Sequence, residues 1–326
     1  MNNPTVSIIC LVYNHAQFVN QCLESVCQQS YAAWELIIVD DASTDSSAEQ
    51  VRNFIKGRNG VQFLQLSQNI GSCKAFNLAL RQAKGKYVMD LAADDSLFPH
   101  CLETLVRKFE QLDQTYGIVF ADALLVRPDG SARRTFYKRN SYGKLLQNIP
   151  SGYLYEQILQ KNIVCTPSML MRKTMLDQIG GYNEALAYED FDLWVRTSRQ
   201  YAYAFTDAVV VRKRLLDSGL SQQFYRKRHN TLLASTLQIC QYAAQQNTNI
   251  AQNLALAVCI RYHWRMSCFT QNYAIAQAFA QLLRQIKVPI TLHDRCLQLI
   301  TRLKIPLWQP YRCYLWVRFG KKIAPN

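Results

Sequence analysis

Four apolar runs of strand length follow one another through the first hundred residues. They cover residues 5–13, 36–39 and 61–66, and the fourth starts at Tyr87. The first two runs are continuous rather than alternating in polarity, which is typical of parallel strands that are buried on both faces. The segments between them carry apolar residues three or four positions apart, as amphipathic helices do. This alternation predicts an α/β fold with a parallel sheet and right-handed crossovers.

Beyond residue 115 the pattern becomes less regular. A strand is predicted at 116–126, and an irregular, partly helical stretch follows at 133–160. Later elements are a short strand at 169–171, a helix ending at Ile179, a Gly180–Gly181 turn, a helix from about Tyr188 and a last strand at 205–211. From residue 222 to about 283 the periodicity is helical throughout. We therefore expect a sheet domain at 1–221, with halves at about 1–122 and 123–221, and a helical region at 222–326.

Two of the predicted strands end in pairs of carboxylates. Asp94 and Asp95 close the fourth run, and Asp40 and Asp41 close the second. The carboxyl ends of parallel strands form the ligand-binding crevice of an open sheet, so acids at these positions face whatever binds there. Asp94 or Asp95 could instead cap the helix that begins near Pro99, and for the pair taken alone this alternative stays open.

The composition is that of a folded protein in a reducing compartment. Of the 326 residues, 49% are hydrophobic and 18% are charged, which excludes a disordered chain. The 11 cysteines form no CxxC pair and no Cys/His cluster at zinc spacing, so we expect buried thiols. No basic segment followed by an apolar run begins the chain, and no apolar run approaches the ~18 residues of a membrane span. We expect a cytoplasmic protein.

Positive charge is concentrated in the C-terminal part of the chain. Residues 1–192 hold 18 Lys and Arg against 20 Asp and Glu, whereas residues 193–326 hold 19 against 3. Residues 261–326 combine 11 basic residues and one acid with several Trp and Tyr. A basic, aromatic segment that prolines keep from spanning a bilayer predicts peripheral binding to an anionic inner leaflet. The alternative is a basic helical subdomain packed on the rest of the chain, and no DNA- or RNA-reading motif supports a nucleic-acid partner.

Five motifs occur in a fixed order along the first two thirds of the chain. They are SIICLVYN at the first strand, ELIIVDDASTDSS at the second, NIG with Ala75 and Asn77 at the third helix, AKGKYV leading to ADD, and GGYNEALAYEDFDLW. In these motifs the chain resembles the family 2 glycosyltransferases, across about residues 4–221. The resemblance implies the GT-A fold, a Rossmann-like and mostly parallel sheet flanked by helices. To this the chain adds a basic, mostly helical C-terminal extension.

The resemblance implies a nucleotide-sugar site at the carboxyl edge of the sheet. Asp41 matches the acid that accepts a hydrogen bond from the base, typically uracil, and Tyr13 and Asn14 would help wall the base. Asp94 matches the last acid of the DxD motif, which holds Mg²⁺ or Mn²⁺ on the donor diphosphate, and hard divalent cations prefer oxygen ligands. The other nucleotide-binding positions implied are Asn69, Gly71, Asp95 and Arg214.

Two positions depart from the pattern of the family. Ala92 stands where the first acid of the DxD motif would be, so metal affinity is expected to be lower, although Asp94 and its neighbour remain. Leu216 stands where some relatives have a His after the last strand, which leaves Arg214 to pair with the diphosphate. Asp90, in the body of the strand, has no role that the pattern assigns.

The segment AYEDFDLW supplies the acid–base residue that the resemblance implies. Asp190 is the matching general base. On a helix it shares a face with Trp194, which would wall the acceptor side, while Glu189 points elsewhere. Without the resemblance, an amphipathic helix with solvated acids in its first turn explains this segment at least as well.

The resemblance as a whole implies an inverting, metal-dependent glycosyltransferase of the hexosyl- or N-acetylhexosaminyl-transferase type. It would move a sugar from a UDP-linked donor to a hydroxyl of a glycan or a lipid-linked acceptor in surface polysaccharide biosynthesis. The alternative is a non-catalytic GT-A-like protein that binds a nucleotide sugar or acts as a scaffold, because the first DxD acid and the His are missing. A nucleotidyltransferase would show a Gly-rich loop at the first strand, which VYNHAQF lacks.

Overall fold

The computed structural model describes residues 6–216 and 219–319 and divides the chain into two compact units. The first unit, which holds the sheet, consists of the chain up to Leu154 together with Ile163–Ala185 and Asp192–Leu216. The second unit consists of Tyr155–Asn162, Leu186–Phe191 and the chain from Asp217 on. Relative to the limits expected from the sequence, 1–221 and 222–326, this division gives two short internal segments to the second unit.

The first unit is built on a sheet whose strands mostly run in one direction. Within the described residues the strands are β1 (Val6–Val12), β2 (Trp34–Asp40), β3 (Val61–Gln65), β4 (Tyr87–Ala92), β5 (Ser96–Leu97), β6 (Tyr116–Val126), β7 (Ala132–Thr135), β8 (Leu170–Arg172) and β9 (Ala202–Arg214). Their order is β3-β2-β1-β4-β8-β6-β9-β5, with β7 paired to β6 outside this path. Strands β3, β2, β1 and β4 pair in parallel, as do β6 and β9, while the short strands β5, β7 and β8 are antiparallel to their neighbours. This architecture confirms the predicted α/β fold.

The helices follow the predicted alternation in the first half of the chain and continue to its C-terminal end. Along the described residues they are α1 (Val19–Cys27), α2 (Ser47–Ile55), α3 (Ser72–Leu80), α4 (Cys101–Glu110), α5 (Tyr155–Gln160), α6 (Lys173–Ile179), α7 (Asp190–Thr197), α8 (Thr231–Gln246), α9 (Ile250–Phe269), α10 (Tyr273–Gln285), α11 (Leu292–Leu303) and α12 (Trp308–Phe319). The central strands are buried because helices cover the sheet: Ile8 and Ile9 of β1 and Leu36 to Val39 of β2 are inaccessible to solvent.

The second unit is a helical body with a core of its own. Leu233 of α8, Met266 of α9, and Tyr311 and Leu315 of α12 belong to one buried cluster. Helix α11 is joined to α9 by an ion pair, in which Asp294 accepts from Arg261 Nη2 at 2.9 Å. Among the described helices, none combines the length and the apolar character needed to cross a membrane.

The cysteines behave as expected from their spacing. All eleven are free, and eight of them are buried as small apolar residues.

Candidate active site

The carboxyl ends of neighbouring parallel strands meet at one edge of the sheet. Val12 of β1 stands in register with Asp40 of β2. Just beyond the strands, the amide of Asp41 donates to the carbonyl of Val12 at 2.9 Å, and the amide of Ala93 donates to the carbonyl of Leu11 at 3.0 Å. The loops that follow β1, β2 and β4 therefore start at the same level, which is where open α/β sheets bind their ligands.

Asp41 holds the loop that leads into α3. Its Oδ1 accepts from the amide of Ile70 at 2.7 Å, and its Oδ2 accepts from the amide of Gly71 at 2.9 Å. Gly71 has a φ of +88° and is the N-cap residue of α3, a backbone conformation that favours glycine. Each carboxylate oxygen of Asp41 keeps a further lone pair, so it can still accept from a base. Asn69, on the same loop, is exposed.

The loop after β1 is braced against the loop after β2. Asn14 has a φ of +56°, and its amide donates to Ser43 Oγ at 3.0 Å. The side-chain oxygen of Asn14 accepts from the amide of Thr44 at 2.8 Å. Tyr13, directly after β1, is exposed, so its ring is available to stack on a ligand at this edge.

Arg214, the last residue of β9, fastens the acidic loop after β4. Its amide donates to Asp95 Oδ1 at 2.8 Å, and its Nε donates to the carbonyl of Asp94 at 3.0 Å. Its Nη1 donates to the carbonyl of Pro128 at 2.8 Å, and its Nη2 donates to Gln21 Oε1 at 2.7 Å. Arg214 is only 8% exposed. In this structure the guanidinium is engaged by the protein, and the expectation that it pairs with the diphosphate stays a prediction.

Asp95 is held by the fold in the same way as Asp41, and its role as a nucleotide contact stays a prediction. It is buried, and its Oδ1 is bound by the Arg214 amide. Burial, and then the charge of adjacent Asp94, raises the pKa of Asp95 to about 8. The helix-cap alternative is wrong, because α4 begins at Cys101 with His100 as its N-cap residue.

Asp94 is the carboxylate at this edge that is left for a cation. It is half-buried, and no hydrogen bond or ion pair found among residues 6–216 and 219–319 involves its carboxylate. In the same part of the chain, no group of three or more His, Cys, Asp or Glu is placed to hold a metal ion. One carboxylate fits Mg²⁺ or Mn²⁺ when a diphosphate supplies most of the oxygen ligands. The residues therefore fit a cation that arrives with the donor.

Asp90 is bound by the GGYNEA motif. The hydroxyl of Tyr182 donates to Asp90 Oδ2 at 2.9 Å. Asn77 of α3 holds the same loop: its Nδ2 donates to the Tyr182 carbonyl at 2.8 Å, and its Oδ1 accepts from the Tyr182 amide at 2.9 Å. Gly181 allows this approach, because a Cβ there would collide with Asn77 Oδ1. Asn77 and Tyr182 each belong to a motif, but the sequence carries no signal that pairs residues 92 or 105 positions apart.

The acids of AYEDFDLW fall on both sides of the division between the units. Leu186–Phe191, with Glu189 and Asp190, belongs to the second unit. Both acids are half-buried and take part in contacts within the fold. Asp192, in the first unit, is buried and accepts from Arg196 Nε at 2.7 Å. Of the three acids, Glu189 and Asp190 are the ones with side-chain surface to offer a substrate.

Trp194 is part of the core of the first unit. It is 3% exposed, and its Nε1 donates to Met169 Sδ at 3.1 Å. The indole presents almost no surface to a ligand in this structure, and the expectation that Trp194 walls the acceptor side stays a prediction.

Comparison with known proteins shows the family of the chain. The family model for Glycosyl transferase family 2 matches residues 7–180, which is more than half of the chain. The chain belongs to glycosyl transferase family 2. It is 27% identical over 215 residues to an uncharacterized glycosyltransferase of Rickettsia prowazekii, a match that covers 65% of this chain and 64% of that protein. It is also 27% identical over 205 residues to WcaA of Escherichia coli K12, named as a colanic acid biosynthesis glycosyl transferase, covering 61% and 68%. The chain thus spans less than two thirds of the rickettsial relatives.

Two solved structures have the same fold. Staphylococcus aureus TarS 1–349 in complex with UDP-GlcNAc aligns with a TM-score of 0.69 at 17% identity, over 99% of this chain and 94% of that one. The mannosyltransferase PcManGT from Pyrobaculum calidifontis, in complex with GDP-Man and Mn²⁺, aligns with a TM-score of 0.58 at 18% identity, over 96% and 84%. These likenesses confirm the GT-A fold.

Replacing Arg214 by Lys tests its bracing role. Lysine keeps the charge but cannot reproduce the planar fork that Arg214 uses. We expect the free energy of unfolding in urea to fall by about 2–3 kcal/mol, because the side-chain hydrogen bonds of Arg214 to the protein are lost. The control is Arg212→Lys, which removes a guanidinium lying 3.9 Å from the centre of the Phe98 ring and should cost about 1 kcal/mol or less. Unchanged stability with a tenfold loss of UDP affinity would instead indicate that Arg214 binds the diphosphate.

Proposed function

We propose that this protein transfers a sugar from a UDP-linked donor to a hydroxyl group, with inversion at the anomeric carbon. The observation that carries the proposal is the edge of the sheet where the available carboxylate of Asp94 follows β4 and Asp41 follows β2. Membership of glycosyl transferase family 2 and the shared fold with the TarS complex of UDP-GlcNAc support it. The sugar would be a hexose or an N-acetylhexosamine. The name of the WcaA relative supports a glycan or lipid-linked acceptor in surface polysaccharide biosynthesis.

In the proposed mechanism the donor binds along the carboxyl edge of the sheet. Asp41 accepts from the uracil ring while it still holds the amides of Ile70 and Gly71. Tyr13 stacks on the base. Asp94 would hold Mg²⁺ or Mn²⁺ on the diphosphate, where such a cation offsets the charge that builds on the leaving group.

The proposed chemistry is a single displacement. Asp190 takes the proton of the acceptor hydroxyl while the oxygen attacks the anomeric carbon. The new glycosidic bond forms as the bond to the diphosphate oxygen breaks on the opposite face, which inverts the configuration. UDP leaves with the electron pair of the broken bond, and the proton stays on the carboxyl group of Asp190.

Withdrawing the cation tests the donor site. We expect UDP binding, measured by calorimetry, to weaken at least tenfold in EDTA. Asp94→Asn should show weak binding with and without Mn²⁺, because the cation then lacks its protein ligand. At one hundred times its Kd, UDP with Mn²⁺ should raise the free energy of unfolding of the wild type by about 2.7 kcal/mol.

Asp90→Asn is the matched control for this experiment. Tyr182 binds Asp90, so the variant should keep the cation dependence of the wild type. UDP that binds equally well in EDTA would contradict the cation site. Loss of the dependence in Asp90→Asn would mean that Asp90 replaces the acid missing at Ala92.

Replacing Asp190 by Asn isolates the proton transfer. The amide keeps the shape of the side chain but cannot take the proton, so turnover should fall by about 10² to 10⁴ while the Kd of UDP stays within about threefold. Glu189→Gln should cost less than about tenfold. Turnover is measured as UDP released from UDP-glucose, UDP-galactose, UDP-GlcNAc and UDP-GalNAc with Mn²⁺ and a crude lipid-linked acceptor. Equal turnover of Asp190→Asn and the wild type would mean that another residue is the base. No turnover in the wild type would favour the non-catalytic alternative.

We further propose that the second unit binds an anionic membrane on its cytoplasmic face. Helix α11 carries an apolar stripe that points away from its buried face: Leu292, Leu299 and Leu303 are 77%, 55% and 61% exposed. Arg295 and Arg302 are exposed on the same helix. Outward leucines bordered by arginines are typical of helices that lie in the membrane interface.

The charge of the region supports a lipid partner over a second copy of the chain. The acid of residues 261–326, Asp294, is already paired with Arg261 at 2.9 Å, and among the residues that the structure describes no other basic residue of this segment forms an ion pair. Two such surfaces would repel each other, whereas anionic lipid attracts them, by about 1 kcal/mol for each Lys or Arg at the surface. Lys321 and Lys322 of the basic segment lie outside the described residues. Membrane binding of this kind would suit a lipid-linked acceptor.

Flotation with lipid vesicles tests the membrane proposal. We expect binding to vesicles that contain phosphatidylglycerol and little binding to phosphatidylcholine alone. The Leu299→Ser/Leu303→Ser variant should reduce partitioning by at least tenfold, since each exposed leucine contributes about 1.5 kcal/mol or more when it enters the apolar phase. Leu146→Ser, which changes a leucine of the first unit that is 63% exposed, is the control and should bind like the wild type. Equal binding of all three proteins would contradict the role of α11.

A further inference from the structure

The segment that carries the proposed base is anchored to α8. The amide of Ala187 donates to Ser235 Oγ at 2.9 Å. One residue further on, the hydroxyl of Tyr188 lies 2.6 Å from Thr236 Oγ1. Two consecutive residues of the segment are thus bound to two consecutive residues of one helix.

The direction of the second bond follows from its partners. Thr236 Oγ1 donates its proton to the carbonyl of Leu232 at 2.9 Å, so it accepts the proton of Tyr188. Burial raises the pKa of Tyr188, which keeps the phenol protonated and able to donate. The Tyr188 ring also meets Phe224 edge-on, with 5.6 Å between the ring centres. The side chain is therefore held at both its ring and its hydroxyl.

We propose that Tyr188, Ser235 and Thr236 are positioning residues for the general base. The inference rests on the proposed function. One residue, Glu189, separates the anchored Tyr188 from Asp190, and Asp190 is itself the first residue of α7. The base is therefore restrained on its N-terminal side by α8 and on its C-terminal side by α7. Restraint of this kind matters because a displacement of about 1 Å can cost 10²-fold in rate.

The helical unit then has a role in turnover in addition to membrane binding. Ser235 and Thr236 belong to the second unit, as do the residues of the segment that they hold. An apolar contact at this place would stabilise the fold about as well, since a buried hydrogen bond contributes only about 1 kcal/mol net. Two hydrogen bonds additionally fix the direction of the backbone, which is what a general base requires.

The experiment compares variants that remove one hydroxyl each. Tyr188→Phe and Thr236→Val should each lower kcat at least about tenfold, with the KM for the UDP donor changed less than about threefold, because the donor-binding residues are untouched. The double variant should be no slower than the worse single variant, because both changes remove the same hydrogen bond. Thr236→Ser restores the hydroxyl and should bring kcat back to within about threefold of the wild type.

A buried tyrosine hydroxyl in the first unit provides the control. The hydroxyl of Tyr137 donates to the carbonyl of Ile163 at 2.8 Å, and Tyr137 is buried. Tyr137→Phe should lower the melting temperature as much as Tyr188→Phe does while leaving kcat within about twofold. A kcat loss in Tyr137→Phe equal to that in Tyr188→Phe would show that general destabilisation causes the effect and would overturn the inference.

Hydrogen exchange gives a readout that is independent of activity. In Ser235→Ala the amide of Ala187 should exchange at least about tenfold faster, and unchanged exchange would contradict the anchor. A wild type that turns over while Thr236→Val keeps full kcat overturns the positioning role alone. A wild type that turns over no donor overturns the proposed function itself.

Discussion

The acidic loop after β4 depends on Arg214, and the donor edge of the sheet depends on that loop. Asp94 and Asp95 are adjacent acids, and burial together with the charge of Asp94 raises the pKa of Asp95, so the two carboxyl groups differ in character. Arg214 binds both residues, with its amide on the carboxylate of Asp95 and its Nε on the carbonyl of Asp94. Asp95 is thereby taken into the fold, and the carboxylate of Asp94 is left at the surface for a ligand.

Other polar side chains along this edge of the sheet also hold loops in place through hydrogen bonds. Asp41 ties down the loop at Gly71, and Asn77 ties α3 to the loop at Tyr182, whose hydroxyl reaches Asp90. Buried polar groups must find partners in the folded state, and here the partners come from motifs that are distant in the sequence. The residues that give the family its sequence pattern are therefore also the ones that connect its loops.

The fold and the edge of the sheet that carries the candidate site could be predicted because both follow from periodicity and topology. Continuous apolar runs gave the parallel strands, and the carboxyl ends of those strands gave the edge where Asp41 and Asp94 lie. The partners of individual side chains could not be predicted in this way. An arginine after a strand suits a phosphate, but Arg214 meets the carbonyl of Pro128, which only the packing of β6 against β9 brings near it. On an amphipathic helix face, Trp194 could equally well line a ligand site or pack in the core. In the structure its indole contacts Met169 in the core.

A helical sequence pattern does not tell which unit a helix belongs to. For this reason the place of Leu186–Phe191 in the second unit could not be predicted from the sequence. Within the helical unit this segment connects the proposed base to α8. The central claim is the direct displacement by an acceptor oxygen, from which that base takes the proton. Proton NMR of the sugar product formed from an α-linked UDP donor tests this claim most directly. The account predicts that the first product seen is the β anomer, with the α form appearing only later for a free sugar that mutarotates. A first product with the α configuration would contradict the single displacement.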